Sequence, residues 1–161
     1  MIRLTQILVP TDFSDASTAA MDYGRALART FGASLQLLHV VDNPFLRPMA
    51  ADPHSFKTAT VQHLFERLTD DDRAALHAVA VLETSDDPAE KIVTYAKAHD
   101  SDLIVMGTHG RGAMARLLAG SVAEKVVRTA PCPVLTVRHP EHEFVVPDAA
   151  GATANATIGG L

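Results

Sequence analysis

The sequence predicts an α/β fold, a three-layer, doubly wound sheet of five parallel strands. Three observations point there. Short apolar runs recur at residues 7–9, 34–41, 78–82, 103–106 and 133–137, and runs of this length bounded by turn residues suit strands buried on both faces. The stretches between them carry apolar residues at helical spacing, and strand–helix–strand in so short a span implies a parallel unit with a right-handed crossover. The fourth run leads into residues 107–122, where Gly107, Gly110, Gly112 and Gly120 fall close together. Glycine permits positive φ and close backbone approach, and successive N–H groups can then cradle an oxyanion.

Each element has its own signal. Ile7-Leu8-Val9, stopped by Pro10, is the first strand. The chain then turns through Thr11-Asp12-Phe13, Ser14 is the candidate N-cap, and Ala19, Ala20, Tyr23, Ala26, Leu27 and Phe31 recur at helical spacing until Gly32. Residues 34–41 form the second strand, and residues 42–53, with Pro44, Pro48 and Pro53, read as loop. Phe56, Val61, Leu64, Phe65 and Leu68 mark a helix over 55–76, with the acidic Asp70-Asp71-Asp72 as a candidate interruption. The third strand is 78–82. Asp87-Pro88-Ala89-Glu90 then opens a helix, with Asp87 as N-cap, Pro88 at the first position and Glu90 closing a capping box. Ile92, Val93 and Ala96 give its buried face. Ser121 and Glu124 form a second capping box, so a helix is expected from 121 to about 129, and Pro133-Val134-Leu135-Thr136-Val137 is the fifth strand. Residues 1–139 are read as one domain and 140–161 as a disordered tail rich in Ala, Gly and Thr.

Composition narrows the function classes. The 161 residues are 47% hydrophobic and 20% charged, ordinary for a soluble domain. A formal net charge of -5, with no basic stripe interleaved with aromatics, argues against nucleic acid as a partner. No apolar run approaches the roughly 18 residues that span a bilayer, so no membrane partner is expected. One cysteine, Cys132, allows no internal disulfide, and the N-terminus lacks the pattern of a secretory signal, so a cytoplasmic location is expected.

Ligands of doubly wound sheets bind beyond the carboxyl ends of the strands, where strand order reverses. With the order 3-2-1-4-5, taken by analogy with common sheets of this type, the first and fourth strands meet there. That places Asp12 beside the glycine stretch. The stretch itself offers two donor clusters, the turn from Gly107 to Gly110 and the helix mouth at Gly120-Ser121-Val122, whose free N–H groups and dipole favour an anion. Together they could grip one polyphosphate.

The residues also resemble the universal stress protein family, whose nucleotide-binding members carry G-x2-G-x9-G-[ST]. Here that pattern is Gly107, Gly110, Gly120 and Ser121. The similarity spans about residues 3–138 and includes Ile7-Leu8-Val9-Pro10-Thr11-Asp12-Phe13-Ser14, Leu38-His39-Val40-Val41, Asp102-Leu103-Ile104-Val105-Met106-Gly107 and Ala130-Pro131-Cys132-Pro133-Val134-Leu135. The resemblance implies a Rossmann-like sheet of the adenine nucleotide alpha hydrolase type that binds ATP, or AMP or ADP, with Mg held by the nucleotide phosphates. It implies a homodimer formed partly through the C-terminal strand, about residues 133–137. It places the positions of Pro10, Thr11, Asp12 and Val40 around adenine and ribose, and those of Met106, Gly107, His109, Gly110, Gly120, Ser121 and Val122 along ribose and phosphates. Ser85-Asp86 departs from the glycine that many members carry before the third helix.

Each signal has a plainer reading. Gly107 and Gly110 can simply serve a tight turn that needs positive φ, Ser121 can be only a cap, and Asp12 can favour the positive end of the first helix. His109 can donate to phosphate or be a solvated loop histidine. Arg111 and Arg116 can neutralise phosphate or be ordinary surface charge, and Cys132 reads as a small core residue. His139, Glu141, His142 and Glu143 lack a metal-ligand spacing. Gly110-x-Gly112-x-x-Ala115 mimics the dinucleotide fingerprint, but it follows the wrong strand and Leu135 stands where the acidic residue belongs. The expected function is therefore a stress-response switch that binds ATP. The alternatives are a nucleotide-independent dimeric interaction protein of the same fold, and an ATP-cleaving or nucleotidyl-transferring enzyme. The chain has no G-x-x-x-x-G-K-[ST] loop and no evident base to activate water, so catalytic residues are not assigned and any hydrolysis would be slow.

Overall fold

The computed structural model describes residues 1–41, 53–108 and 121–138. Within them the order is β1 (Gln6–Pro10), α1 (Asp15–Phe31), β2 (Ser34–Val41), α2 (Pro53–Glu66), α3 (Asp70–Ala75), β3 (Val79–Thr84), α4 (Pro88–Ala98), β4 (Leu103–Gly107), α5 (Ser121–Thr129) and β5 (Val134–Val137). The five strands form one sheet in the order β3-β2-β1-β4-β5, and every pair is parallel. The expected class and strand order are both observed. His109, Gly110 and Gly120, like the arginines between them and the tail after Arg138, lie outside the described residues.

Alternation along the strands builds two cores. Ile7, Val9, Leu35, Leu37 and Val105 pack on one face with Ala20, Met21 and Tyr23 of α1 and Leu64 of α2. Leu8, Leu38, Ile104 and Met106 pack on the other with Ala89, Ile92 and Ala96 of α4 and Ala123 and Val126 of α5. Both faces of the central strands are therefore sealed, as their near-continuous apolar sequence required. Burying each such Leu or Ile is worth about 1.5–3 kcal/mol relative to exposure.

The ends of α1 follow its sequence signals. Ser14 Oγ accepts the Ser17 amide at 3.2 Å, and Gly32 closes the helix in the left-handed region at φ 66°. Two other helices differ from expectation. The stretch expected as one helix over 55–76 is two, because Thr69 starts a new one: its hydroxyl accepts the Asp72 amide at 3.0 Å while Asp72 Oδ2 accepts the Thr69 amide at 2.9 Å. The acidic run thus begins α3, where three carboxylates suit the positive helix end. Asp72 is fully buried and takes Arg25 Nε on both oxygens, at 3.1 and 3.0 Å, which ties α3 to α1. At α4, Asp87 accepts the Glu90 amide at 3.0 Å as expected. The cap's own amide, however, goes to Ser85 Oγ at 3.1 Å. Ser85 therefore does the work expected of Glu90.

Candidate functional site

Because all strands are parallel, Pro10, Val41, Thr84, Gly107 and Val137 end at one edge of the sheet. The order reverses between β1 and β4. Consecutive connections pass to opposite faces there, with α1 leaving over one core and α4 arriving over the other. The two segments that leave the sheet at this point are 11–14 and 107–108.

A chain of hydroxyls organises the first segment. Ser17 Oγ donates to the Ser14 carbonyl at 2.9 Å and lies 3.1 Å from Thr11 Oγ1. The Ser17 hydroxyl also reaches the Asp12 carboxylate, and in its contact with Thr11 either oxygen can be the donor. Thr11 Oγ1 also accepts the Phe13 amide at 3.1 Å, the Thr11 amide donates to the Leu38 carbonyl at 2.8 Å, and its carbonyl sits 2.6 Å from His39 Nδ1. A carbonyl oxygen only accepts, so Nδ1 carries the proton. Thr11 is thereby built into the fold through both backbone groups and its side chain. Asp12 Oδ1 accepts the Ser14 hydroxyl at 2.5 Å and the Ser14 amide at 3.0 Å. Burial pushes the Asp12 carboxyl up, but these bonds from Ser14, with a further one from Ser17, bring it below the usual carboxylate range. It is a half-buried anion at the sheet edge.

The second segment is pressed against the first. A Cβ on Gly107 would lie 2.8 Å from the Ala16 carbonyl carbon, 2.9 Å from Ala16 Cβ and 2.9 Å from the Ser17 nitrogen. Glycine here allows the end of β4 to tuck under the first turn of α1. Gly107 does not adopt the positive φ that a tight turn would have required. The contact continues from Gly107 through Ser17 to Thr11, so the ends of β4 and β1 meet through α1. Thr108 then ties back to β5, its amide donating to the Val137 carbonyl at 2.9 Å.

The remaining positions fall around this junction. Pro10 is buried at the end of β1, and the Met106 side chain is 5% exposed, so both face the interior. Val40 at the end of β2 and Val122 in the first turn of α5 are half-buried against the same core cluster as Met106. Helix α5 opens at Ser121 as expected, although its capping geometry lies outside the described residues. Lys125 on its next turn is paired with Asp87, the cap of α4, which raises the lysine above its usual value and lowers the carboxylate below its own. The residues that sequence reasoning missed are Phe13 and His39. His39 left a signal, a polar residue within the apolar run of β2, whereas Phe13 left none.

Cys132 behaves as its plain reading required, since burial pushes its thiol up, away from the reactive thiolate. Among the described residues, no group of three or more His, Cys, Asp or Glu could hold a metal ion, and no helix is long and apolar enough to cross a membrane.

The sequence model of the Universal stress protein family matches residues 4–138. A universal stress protein of Methanocaldococcus jannaschii is 34% identical over 150 residues, covering 86% of this chain and 84% of the relative. Among solved structures, the universal stress protein UspA from Lactobacillus plantarum superposes with a TM-score of 0.69 at 32% identity, covering 86% of this chain and 100% of that one. A universal stress protein in complex with cAMP superposes with a TM-score of 0.63 at 25% identity, covering 84% of this chain and 98% of that one.

Proposed function

The chain belongs to the universal stress protein family, and from that premise we propose that it binds ATP, or a related adenine nucleotide, as a regulatory switch in a cytoplasmic stress response. The observation that carries this reading is the junction of β1 and β4 at the reversal of strand order, where Gly107 brings the end of β4 beneath α1 and beside the segment bearing Asp12. In this reading Asp12, an acceptor held ionised, takes a ribose hydroxyl, with Pro10, Thr11 and Val40 bordering adenine and ribose. The end of β4 at Met106-Gly107, with His109 and Gly110, and the α5 mouth at Gly120-Ser121-Val122 supply donors to ribose and phosphates. Magnesium enters with the phosphates, which are its natural oxygen ligands.

Such a site suits binding more than turnover. The protein acts through occupancy, as a homodimer joined at the exposed edge of β5. A nucleotide bound by a universal stress protein of the same fold, cAMP, supports the adenine class without deciding between its members.

The test is to denature the purified protein and identify any ATP, ADP or AMP released, then to titrate the emptied and refolded protein with ATP and magnesium. Stoichiometric release or saturable binding is expected. Neither release nor binding at millimolar ATP would leave the fold acting as a nucleotide-independent interaction protein. Magnesium-dependent turnover that survives repurification would make it an enzyme.

A further inference from the structure

Phe13 occupies the left-handed region at φ 63°, which bulky side chains rarely enter because Cβ crowds the following carbonyl. It stands between Asp12 and Ser14, the two residues whose mutual hydrogen bonds set the carboxylate. Those bonds span Phe13, so the dihedrals of Phe13 decide whether they form. A strained conformation persists only where the surroundings over-determine it, and here the surroundings are specific. The Phe13 ring lies 4.4 Å from the His39 ring and 4.5 Å from the His63 ring, centroid to centroid. The Arg67 guanidinium carbon sits 5.8 Å from the same centroid.

Each side of this clasp is anchored elsewhere. His39, on β2, also holds the Thr11 carbonyl at 2.6 Å. His63 belongs to α2, and Arg67, just beyond that helix, donates to Thr18 Oγ1 on α1 at 3.2 Å while its carbonyl accepts Arg25 Nη2 at 2.7 Å. The ring is therefore gripped by β2 from within the sheet and by α2 from outside it.

We infer that Phe13 is a positioning residue: the His39–Phe13–His63 clasp imposes the left-handed turn that fixes the direction of the Asp12 carboxylate for ligand, and so links α2 to the binding edge. The inference rests on the nucleotide reading above for the identity of that ligand. Releasing the ring lets residue 13 return to negative φ, which separates Asp12 from Ser14. The carboxylate then loses both its lowered titration and its direction.

The experiment uses Phe13→Ala, Phe13→Tyr and His63→Ala in the full chain, each alone and combined with Asp12→Asn. Two quantities are read: the titration of the Asp12 carboxyl carbon by NMR without ligand, and ATP affinity by calorimetry. Phe13→Ala is expected to move the Asp12 titration up toward the ordinary aspartate value and to weaken ATP at least about tenfold. Phe13→Tyr keeps the ring and changes neither quantity. His63→Ala, at an exposed position that leaves the core intact, gives a smaller shift in the same direction and keeps the test open if Phe13→Ala does not fold. In the Asp12→Asn background both substitutions should cost almost nothing further, because they act through Asp12. An unchanged Asp12 titration, or an equal loss of affinity with and without Asp12, overturns the inference. If the wild-type protein binds no adenine nucleotide, the functional reading fails, while the ligand-free titration still decides the role of Phe13.

Discussion

Gly107→Ala separates two reasons for a glycine at the end of β4. A glycine needed only for ligand approach could be replaced with loss of binding and no loss of stability. The structure gives the other reason, since the added methyl would stand 2.8 and 2.9 Å from the carbonyl carbon and Cβ of Ala16 and 2.9 Å from the Ser17 nitrogen. Two of these three atoms are backbone, so no side-chain rotation relieves the clash, and either α1 or the end of β4 must move. Overpacking of this kind costs about 1–3 kcal/mol, and rigid backbone neighbours place Gly107→Ala at the upper end. For a domain of this size that corresponds to a fall in Tm of roughly 6–12 °C. Urea denaturation followed by circular dichroism gives the stability, and calorimetry with ATP and magnesium gives the affinity. Both should fall together, because the same displacement disturbs the Ser17–Thr11 hydroxyl contact. A variant as stable as wild type, whatever its affinity, would refute the helix-contact account of this glycine.

Other substitutions test the supports of the site. Asp72→Ala leaves Arg25 without its buried partner, which costs about 3–5 kcal/mol; because the Arg25 side chain keeps 20% exposure, the lower end is expected, and a urea-measured loss below about 1 kcal/mol would count against the α1–α3 tie. Ser14→Ala removes the α1 cap, about 0.5–2 kcal/mol, and also removes a donor to Asp12, so NMR should find the Asp12 titration shifted upward; a shift in stability alone would contradict the shared role. Acid sensitivity follows from Asp12 and Asp102. Asp102 is held below the usual carboxylate range by the Thr5 hydroxyl and amide and the Gln6 amide, as Asp12 is by Ser14. For a lowered folded value, the stabilisation is complete above the unfolded value near 4 and is lost as pH falls through the folded one. Urea midpoints should therefore drop as pH goes from about 5 to below 3, and Asp102→Asn should flatten that decline; an identical acid limb in the variant would remove Asp102 from the account.

What could be read from the sequence was encoded locally. The Ser14 and Asp87 caps, the Gly32 stop and the apolar runs of β1, β2 and β4 each depend on a few neighbouring residues, and each appears in the structure where the sequence put it. The strand order was legible only by analogy, since nothing local states which strands pair. Two local caps escaped, the Thr69–Asp72 box and the Ser85 acceptor for Asp87, but the other missed features are long-range. Asp72 read only as part of an acidic run that could interrupt a helix, with nothing nearby to announce its buried partner Arg25, 47 positions away in sequence. Gly107 looked like a turn glycine because Ala16 and Ser17 lie far back in the chain. Phe13 gave no sign of left-handed geometry, because the histidines that grip it come from two other elements. These same contacts bear on how the site can work. Thr11, Asp12 and Gly107 are held by interior hydrogen bonds and packing, so the β1–β4 side of the junction is already ordered before any ligand arrives. For the nucleotide proposed above, docking against this side would carry little ordering cost. A substitution that lowers affinity without moving stability on this side therefore reports a ligand contact. One that lowers both, as Gly107→Ala should, reports the scaffold that aims the contact.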